Sequence, residues 1–472
     1  MADLEAPTPG RAPGQGGDGT GLRREVGLPG AVFMGLGSIL GTGLFVSLGI
    51  AAGVAGSGIL LALPLAALLA LFNGLSSAQL AAAHPMSGGT YEYGHRFLSP
   101  ALGFSAGSLF LLAKSASAAT AALGVGGYLI LLLQAPGGAS PPSAASLPSS
   151  GALLPGLLAA GTVVLLTLLA AVGIRRSNQA NVVVVGMTLT ALLVFLAVGL
   201  PHTVGGLLAG AVWEPSAQTP GAAGLDGTGW RRLLEDGPAA LLHATALLFV
   251  AYTGYGRIAT LGEEVRDPRR VIPRAIWITL GVVALLYTGT AMVALGTLGA
   301  EGFAGLTEAT AAPLHAAAAA LEVPGLALLV GIAAVTAMVG VLLNLILGLS
   351  RVALAMGRRG DLPRFLAAVH APSGSPRFAV VGVGMVILLL VSVGDVRTTW
   401  SFSAFTVLAY YGITNLAALH LPPELRLYPR WVPVMGLAGC ALLAFQVEPA
   451  FWITGASLLA GALAVRHLVR GW

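Results

Sequence analysis

Two glycine-rich clusters interrupt apolar stretches of the sequence that otherwise suit helices. The first is segment 35–43, Gly-Leu-Gly-Ser-Ile-Leu-Gly-Thr-Gly, and the second is segment 251–256, Ala-Tyr-Thr-Gly-Tyr-Gly. A glycine inside a helix is about 1 kcal/mol less favourable than an alanine, so several in one stretch weaken the helix locally. The clusters therefore predict a break in each helix, although small residues at this spacing also suit close packing between two helices.

A helix break leaves backbone groups unpaired, and a ligand can bind them. After a break near Thr42, the amides of the following half-helix and its dipole favour an anion. Carbonyl groups freed before the breaks favour a cation; they belong to Ser38, Ile39, Ala251 and Tyr252. An α-amino acid carries both charges on one carbon. The two clusters thus indicate a binding site for an amino acid.

The composition places these clusters within a membrane. Charged residues make up 9% of the 472 positions, against about 25% in soluble domains. Residues of the set AVILMFWYC make up 56% and fall in successive runs of about 20 residues or more, long enough to cross about 30 Å of hydrocarbon as a helix. The sequence predicts an all-α polytopic membrane protein of about twelve spans, numbered 1 to 12 in the order about 29–53, 57–82, 101–133, 151–173, 179–200, 238–262, 271–299, 324–350, 376–394, 399–421, 431–447 and 449–468. Segment 309–322 is predicted to form a short helix in a loop.

The two clusters occupy equivalent places, since one opens predicted spans 1–5 and the other opens spans 6–10. Interrupted helices at corresponding positions of two halves are typical of inverted-repeat transporters, whose site lies near the membrane midplane. The predicted organisation is a disordered cytoplasmic tail (1–28), a first five-helix repeat (29–200), an extracellular loop (201–237), a second five-helix repeat (238–421) and helices 11 and 12 (422–472). Helices 11 and 12 carry no polar signal, so we expect a structural or oligomeric role for them.

The net charge of +5 comes from arginines in short loops and does not indicate a surface for nucleic acid. If the N-terminus is cytoplasmic, the outside loops hold only Arg231, Arg232 and Arg397, and the inside loops hold most of the other arginines. This asymmetry predicts a multi-pass plasma-membrane protein with both termini in the cytoplasm; if the protein is bacterial, the membrane is the inner membrane. The single cysteine, Cys440, excludes an internal disulfide and a cysteine-rich metal cluster.

Several short motifs around the clusters occur together and in order. They are 37–45 (GSILGTGLF), 85–91 (PMSGGTY), 249–255 (FVAYTGY), 263–268 (EEVRDP) followed by Ile272-Pro273, 350–356 (SRVALAM) and 360–363 (GDLP). With these motifs the sequence resembles the amino acid–polyamine–organocation superfamily, and in particular its bacterial amino acid permeases and cationic amino acid transporters. The resemblance covers about residues 25–425.

The resemblance implies a LeuT-like core of two inverted five-helix repeats that works by alternating access. It also implies roles for residues at the breaks. Backbone amides would meet the substrate carboxylate at Gly41, Thr42 and Gly43. Backbone carbonyls would meet the ammonium at Ile39, Ala251 and Gly254. Tyr255 would lie near the substrate side chain, at the aromatic gate of the family.

One position departs from the family. Proton-coupled members carry a lysine in span 5, and aligning segment 181–187 on their pattern places Thr188 there. Three alternatives follow: Lys114 supplies the charge, coupling is absent, or sodium binds near Thr188. We rank them in that order, because no carboxylate lies deep in a span to offset the desolvation of a sodium ion.

Lys114 is the single lysine among 24 basic residues, and it falls near the centre of span 3. A charge at the bilayer centre is unfavourable by about 2.5–3.5 kcal/mol or more unless it is paired or hydrated. Lysine, unlike arginine, can lose its proton when desolvated, which suits a proton carrier. A structural role is the alternative, by snorkelling or by bonds to carbonyls or to hydroxyls such as Ser115, Ser117 and Thr120.

Other polar residues near the breaks are interpreted more simply. Arg257 opens the second half of span 6, and we expect it to line an inner vestibule and to pair with Glu263 or Glu264; contact with an anionic substrate group is the alternative. The two glutamates are expected to form solvated or gate-closing ion pairs. His243, inside span 6, is expected to be a hydrogen-bonded packing residue.

These observations predict a secondary transporter of amino acids, with proton coupling through Lys114 as the first mechanism considered. The alternatives are a sodium-independent exchanger or facilitator and, in another class, an amino acid sensor built on a transporter fold. No catalytic constellation lies within the spans, so an enzyme is not expected, nor are a cofactor, a metal or a nucleic-acid partner. Neutral amino acids are the expected substrates because no carboxylate lines the site. The sequence does not indicate an oligomeric state.

Overall fold

A computed structural model describes seven parts of the chain: 26–84, 88–134, 153–173, 178–208, 237–259, 265–370 and 375–470. Most of the predicted N-terminal tail lies outside these residues, as do Glu263, Glu264 and positions 209–236 of the predicted loop 201–237. The described start of that loop, 201–208, instead continues the preceding helix. The described residues are almost entirely helical.

The described residues form seventeen α-helices, of which eight lie in the first half of the chain. They are α1 (Leu28–Ile39), α2 (Thr42–Phe45), α3 (Ser47–Ala55), α4 (Ile59–Ala83), α5 (Thr90–Phe97), α6 (Pro100–Gln134), α7 (Leu153–Val172) and α8 (Asn178–Leu208).

The second half contains nine more. They are α9 (Gly237–Tyr252), α10 (Gly256–Ala259), α11 (Pro268–Thr310), α12 (Pro313–Ala320), α13 (Leu326–Arg358), α14 (Arg377–Val393), α15 (Val396–Leu419), α16 (Trp431–Ala444) and α17 (Pro449–Arg470).

Many of these helices suit a bilayer. Among the described residues, nine helical stretches are long and apolar enough to span a membrane, and three shorter apolar helices accompany them. Large apolar side chains remain exposed on many of these helices, for example Leu285 on α11 and Leu133 on α6. Since such side chains face hydrocarbon favourably and water unfavourably, the fold is that of a multi-pass membrane protein.

Both glycine clusters disrupt their helices, but to different extents. The first predicted span is divided into α1, α2 and α3, with Leu40 and Gly41 outside any helix. In the sixth predicted span the segment Thr253–Tyr255 forms one 3-10 turn between α9 and α10. The second cluster therefore tightens the helix where full unwinding was expected. A 3-10 turn keeps local hydrogen bonds, and the Gly256 amide accordingly donates to the Thr253 and Gly254 carbonyls.

The predicted end of span 7 and the loop helix after it are also present. Helix α11 contains a non-helical residue, Gly299, with φ 69° and ψ 168°, a backbone conformation that favours glycine. The short helix α12 then follows within the segment predicted for it.

Helix α6 lies at the centre of the bundle and packs against α13 and α15. Buried hydroxyls link α6 to α15: the Ser117 and Ser403 oxygens are 2.7 Å apart, and the Thr120 and Thr399 oxygens are 2.8 Å apart. Polar atoms inside a membrane protein need internal partners, so these pairs fix the register of α6 beside the breaks.

Candidate functional site

The two helix breaks touch each other. A Cβ atom on Gly43 would lie 2.8 Å from the Ala251 Cβ and 2.9 Å from the Ala251 Cα. A Cβ atom on Gly254 would collide with the Ser38 carbonyl oxygen and lie 2.5 Å from the Ile39 Cγ1. Only glycine permits backbones to approach this closely. The structure thus brings together residues that are more than 200 positions apart in the chain.

Tyr287 of α11 joins the two breaks through its hydroxyl group. The hydroxyl oxygen lies 3.0 Å from the Ile39 carbonyl oxygen and 3.2 Å from the Ala251 carbonyl oxygen. These are two of the three carbonyls predicted to bind an ammonium group. Both carbonyl oxygens therefore lie within hydrogen-bond distance of one donor group.

The amide end of the site lies at the start of α2. The first amides of a helix have no carbonyl partner within that helix, and α2 begins at Thr42. The Thr42 hydroxyl is buried and has no hydrogen-bond partner among the described residues. Gly41 packs against α13, where an added Cβ would lie 2.6 Å from the Val341 Cγ2. Unpaired amides and a hydroxyl at this end can accommodate an anionic group.

Tyr255 lies in an aromatic layer beside the second break. Its side chain is fully buried, and its ring centroid lies 5.6 Å from that of Tyr411 on α15. An added Cβ on Gly74 of α4 would lie 3.6 Å from the Tyr255 ring. The aromatic side chain next to Tyr287 is instead Tyr252, with centroids 5.1 Å apart. From the sequence, Tyr255 was predicted as a site residue, and Tyr287 was not.

Lys114 contacts the second break directly. Its ammonium nitrogen lies 2.8 Å from the Thr253 hydroxyl oxygen, and the Thr253 hydroxyl in turn donates to the Val250 carbonyl at 2.7 Å. The structural alternative for Lys114 included a hydroxyl partner, and the partner is a hydroxyl, but it belongs to Thr253; Ser117 and Thr120, two of the examples given, bond to α15. No carboxylate pairs with Lys114 in the described part of the chain.

The remaining predicted residues lie around this centre. The Thr188 hydroxyl donates to the Val184 carbonyl of its own helix at 2.8 Å. Arg257 is half-buried in α10, and its expected partners Glu263 and Glu264 lie outside the described residues. The hydrogen bond expected for His243 is absent, because its Nε2 atom is buried without a partner among the described residues.

A second polar cluster surrounds Asp361, in the loop after α13. Its carboxylate accepts hydrogen bonds from the Tyr91 hydroxyl at 2.8 Å and from the Arg466 Nε at 2.9 Å, and the His95 Nε2 lies 3.2 Å away. Burial lowers the pKa of His95, although the Asp361 charge acts in the opposite direction. Burial also raises the pKa of Tyr91. Arg466 lies on α17, so the last predicted span, for which a structural or oligomeric role was expected, contributes one side chain to this cluster.

Removal of the Tyr287 hydroxyl tests whether the contact that joins the Ile39 and Ala251 carbonyls matters for transport. We expect Tyr287→Phe to lower kcat/KM for substrate by about 2- to 12-fold, the value of one hydrogen bond of about 0.5–1.5 kcal/mol. Tyr252→Phe is the matched control, because that hydroxyl is buried without a partner in the described structure. Uptake kinetics in reconstituted vesicles would measure both variants. An equal effect of the two substitutions would contradict a specific role for Tyr287.

Comparisons with known proteins agree with this architecture. The family model described as Amino acid permease matches residues 30–465. An uncharacterized transporter of Mycobacterium tuberculosis (strain ATCC 25618 / H37Rv) is 39% identical over 456 residues, which cover 95% of this chain and 92% of the relative. The branched-chain amino acid permease BcaP of Bacillus subtilis (strain 168) is 26% identical over 92% of this chain and 89% of the relative.

A plant relative is similar over less of its own length. Cationic amino acid transporter 9, chloroplastic, of Arabidopsis thaliana is 28% identical over 75% of this chain and 58% of the relative. The family and these relatives are transporters and not enzymes. With helix breaks that meet inside a multi-pass bundle and a family match over nearly its whole length, the chain belongs to the amino acid permease family.

Proposed function

We propose that this protein carries amino acids across the membrane by alternating access, with the substrate bound where the two helix breaks meet. The observation that carries the proposal is the convergence of the Ile39 and Ala251 carbonyl oxygens on one hydroxyl donor, at 3.0 and 3.2 Å. The start of α2 provides amides for the carboxylate a short distance along the chain. One end of the site suits the ammonium and the other suits the carboxylate.

The proposed substrates are neutral amino acids. The described residues at the breaks are apolar, hydroxylated or glycine, and no carboxylate is present there to pair with a cationic side chain. An unpaired charge transferred into such a site would be strongly unfavourable. The name of the Bacillus subtilis relative, a branched-chain amino acid permease, supports the same class.

The proposed topology has twelve spans, two inverted five-helix repeats and both termini in the cytoplasm. Two groups of ion pairs support the alternation of helices. Asp361, which follows predicted span 8, contacts residues after span 2 and at the end of span 12. Arg397, which follows span 9, pairs with Glu308 after span 7 and with Glu448 after span 11. Predicted spans 2, 8 and 12 thus have ends that lie together, and so do predicted spans 7, 9 and 11, which is consistent with the proposed alternation.

Proton coupling through Lys114 is the proposed mechanism. The Lys114 ammonium nitrogen lies 2.8 Å from the Thr253 hydroxyl oxygen, and Thr253 stands between Ala251 and Gly254 in the chain. A change in the protonation of Lys114 would therefore alter a helix break that contributes to the substrate site. Uncoupled exchange is the second alternative. A sodium ion near Thr188 is the third, since no carboxylate is present among the described residues at the breaks to offset the desolvation of the ion.

The transport function is tested with purified protein in proteoliposomes. We expect uptake of labelled neutral amino acids, measured over a panel of substrates with and without a proton gradient, and in sodium or choline buffer. Saturable binding without any uptake would favour the amino acid sensor. Strict dependence on sodium without a response to pH would contradict the proposed coupling.

The role of Lys114 makes a separate prediction. Lys114→Arg should retain transport but flatten its dependence on pH, because arginine stays protonated. Lys114→Met should lose uptake driven by protons and retain exchange of substrate across the membrane. Ser117→Ala is the control on the same helix, since Ser117 bonds to Ser403 and not to the break. If transport by both Lys114 variants depends on pH as it does in the unmodified protein, Lys114 has only a structural role.

A further inference from the structure

A basic pocket lies at one end of α11, away from the helix breaks. It has a volume of about 390 Å³, and its walls include Arg269, Arg270 and Arg274 of α11 together with Trp277 and Tyr428. Tyr428 belongs to the segment that joins α15 to α16. Three guanidinium groups and two aromatic side chains thus surround one cavity.

Within the described ranges, little negative charge lies near the arginines of this pocket. Among the described residues, the single carboxylate at ion-pair distance is Asp267, whose oxygen lies 3.7 Å from the Arg270 Nε. Both of these side chains are exposed, at 79% for Arg270 and 56% for Asp267, so their attraction is weak. Neighbouring guanidinium groups repel one another unless an anion lies between them. The pocket therefore suits a group with more than one acceptor oxygen, such as a phosphate.

One face of α11 continues from the pocket along the helix. Arg270, Arg274, Trp277, Gly281 and Leu285 are spaced by three or four residues, so they lie on the same face. Trp277 is 52% exposed and Leu285 is 77% exposed. Trp277 stands about 10 Å along the helix from Arg270, and Leu285 about 12 Å further. From the pocket inwards, this face is charged, then aromatic, then apolar.

That order is the order of chemistry in a phospholipid. Aromatic side chains such as tryptophan favour the membrane interface, and basic pockets between helices at that level bind anionic headgroups. An exposed apolar face directly beyond Trp277 would contact the acyl chains. We propose that this pocket binds the headgroup of an anionic phospholipid, with Arg270 and Arg274 on the phosphate and Trp277 at the glycerol level.

The test compares lipids and soluble anions on the purified full-length protein. Phosphatidylglycerol or cardiolipin, added to detergent-solubilised protein, should raise its melting temperature, whereas phosphatidylcholine and inorganic phosphate should not. Arg270→Gln/Arg274→Gln should weaken the apparent affinity for the anionic lipid about 30-fold, at about 1 kcal/mol for each arginine. Native mass spectrometry should show the corresponding loss of retained lipid.

Arg351→Gln/Arg358→Gln is the matched control, because it removes two exposed arginines from α13 and leaves the pocket intact. An equal loss of lipid binding in the two double variants would overturn the proposal, as would no loss in either. Stabilisation by inorganic phosphate to the same extent would also overturn it, in favour of a site for soluble anions. If the double variant does not fold, Arg274→Gln alone should still weaken lipid binding about fivefold.

Discussion

Replacement of Gly43 by valine should abolish substrate binding and uptake. The first reason is the proposed contact of the Gly43 amide with the substrate carboxylate, which a side chain would obstruct. The second is the contact between the breaks, since an added Cβ would lie 2.8 Å from the Tyr287 hydroxyl oxygen and 2.9 Å from the Ala251 Cα. We expect a loss of at least about 100-fold in kcat/KM, equivalent to about 2.7 kcal/mol.

Because Gly43 lies in a close backbone contact, this experiment needs a control for protein stability. From sequence, Gly43→Val was expected to remove binding and leave the fold intact. Overpacking of a buried contact typically destabilises a protein by about 1–3 kcal/mol, so some loss of stability is now expected as well. Gly186→Val on α8 is the matched control, because an added Cβ there meets no atom within 4 Å. Normal affinity in a folded Gly43→Val protein would place the substrate site elsewhere.

Replacement of Asp361 by asparagine should destabilise the protein by about 3–5 kcal/mol. The Asp361 side chain is fully buried, and that of Arg466 is 11% exposed, so loss of the carboxylate leaves a nearly buried guanidinium without its counter-charge. Arg359 is close to the same cluster, where it pairs with Glu92 and stacks over the Tyr91 ring. The asparagine amide would direct N–H groups towards side chains that are themselves donors.

The apparent melting temperature of the purified protein measures this effect. Asp267→Asn is the matched control, since Asp267 is 56% exposed and its ion pair with Arg270 spans 3.7 Å. That pair should contribute less than about 1 kcal/mol. Similar melting temperatures for the two variants would contradict the role assigned to Asp361. Because Asp361 joins α5 to α17, we also expect its loss to make the end of the bundle around Asp361 more open to labelling reagents.

The helix breaks show how far local sequence can predict structure. Clustered glycine is a local signal, and it correctly predicted disruption in both helices. The form of the second break was not predictable, because three residues in a 3-10 turn or an unwound segment have similar propensities. Contacts with Ile39, Tyr411 and Lys114 surround that turn, and such contacts override small local preferences.

The partners of the buried polar residues could not be predicted from the sequence. Lys114 was identified from its rarity and depth, yet its partner Thr253 is 139 residues away, whereas the hydroxyls named as possible partners all lie on its own helix. Tyr287 was missed because nothing local distinguishes the face of its helix that meets the breaks. The role of Arg466 was not predicted, because no local sequence pattern in α17 or in the loop after α13 indicates that these two segments are in contact.

By itself, the sequence determined the class of this protein: a multi-pass helical bundle in a membrane, broken at two places. Those properties follow from hydrophobicity, charge and glycine content, which act over neighbouring residues. Only the tertiary structure decided which carbonyls converge on Tyr287, which hydroxyl receives Lys114, and which arginine neutralises Asp361. These pairings join distant parts of the chain, and they depend on how whole helices pack, because a buried polar group in a membrane can be satisfied only by another part of the protein.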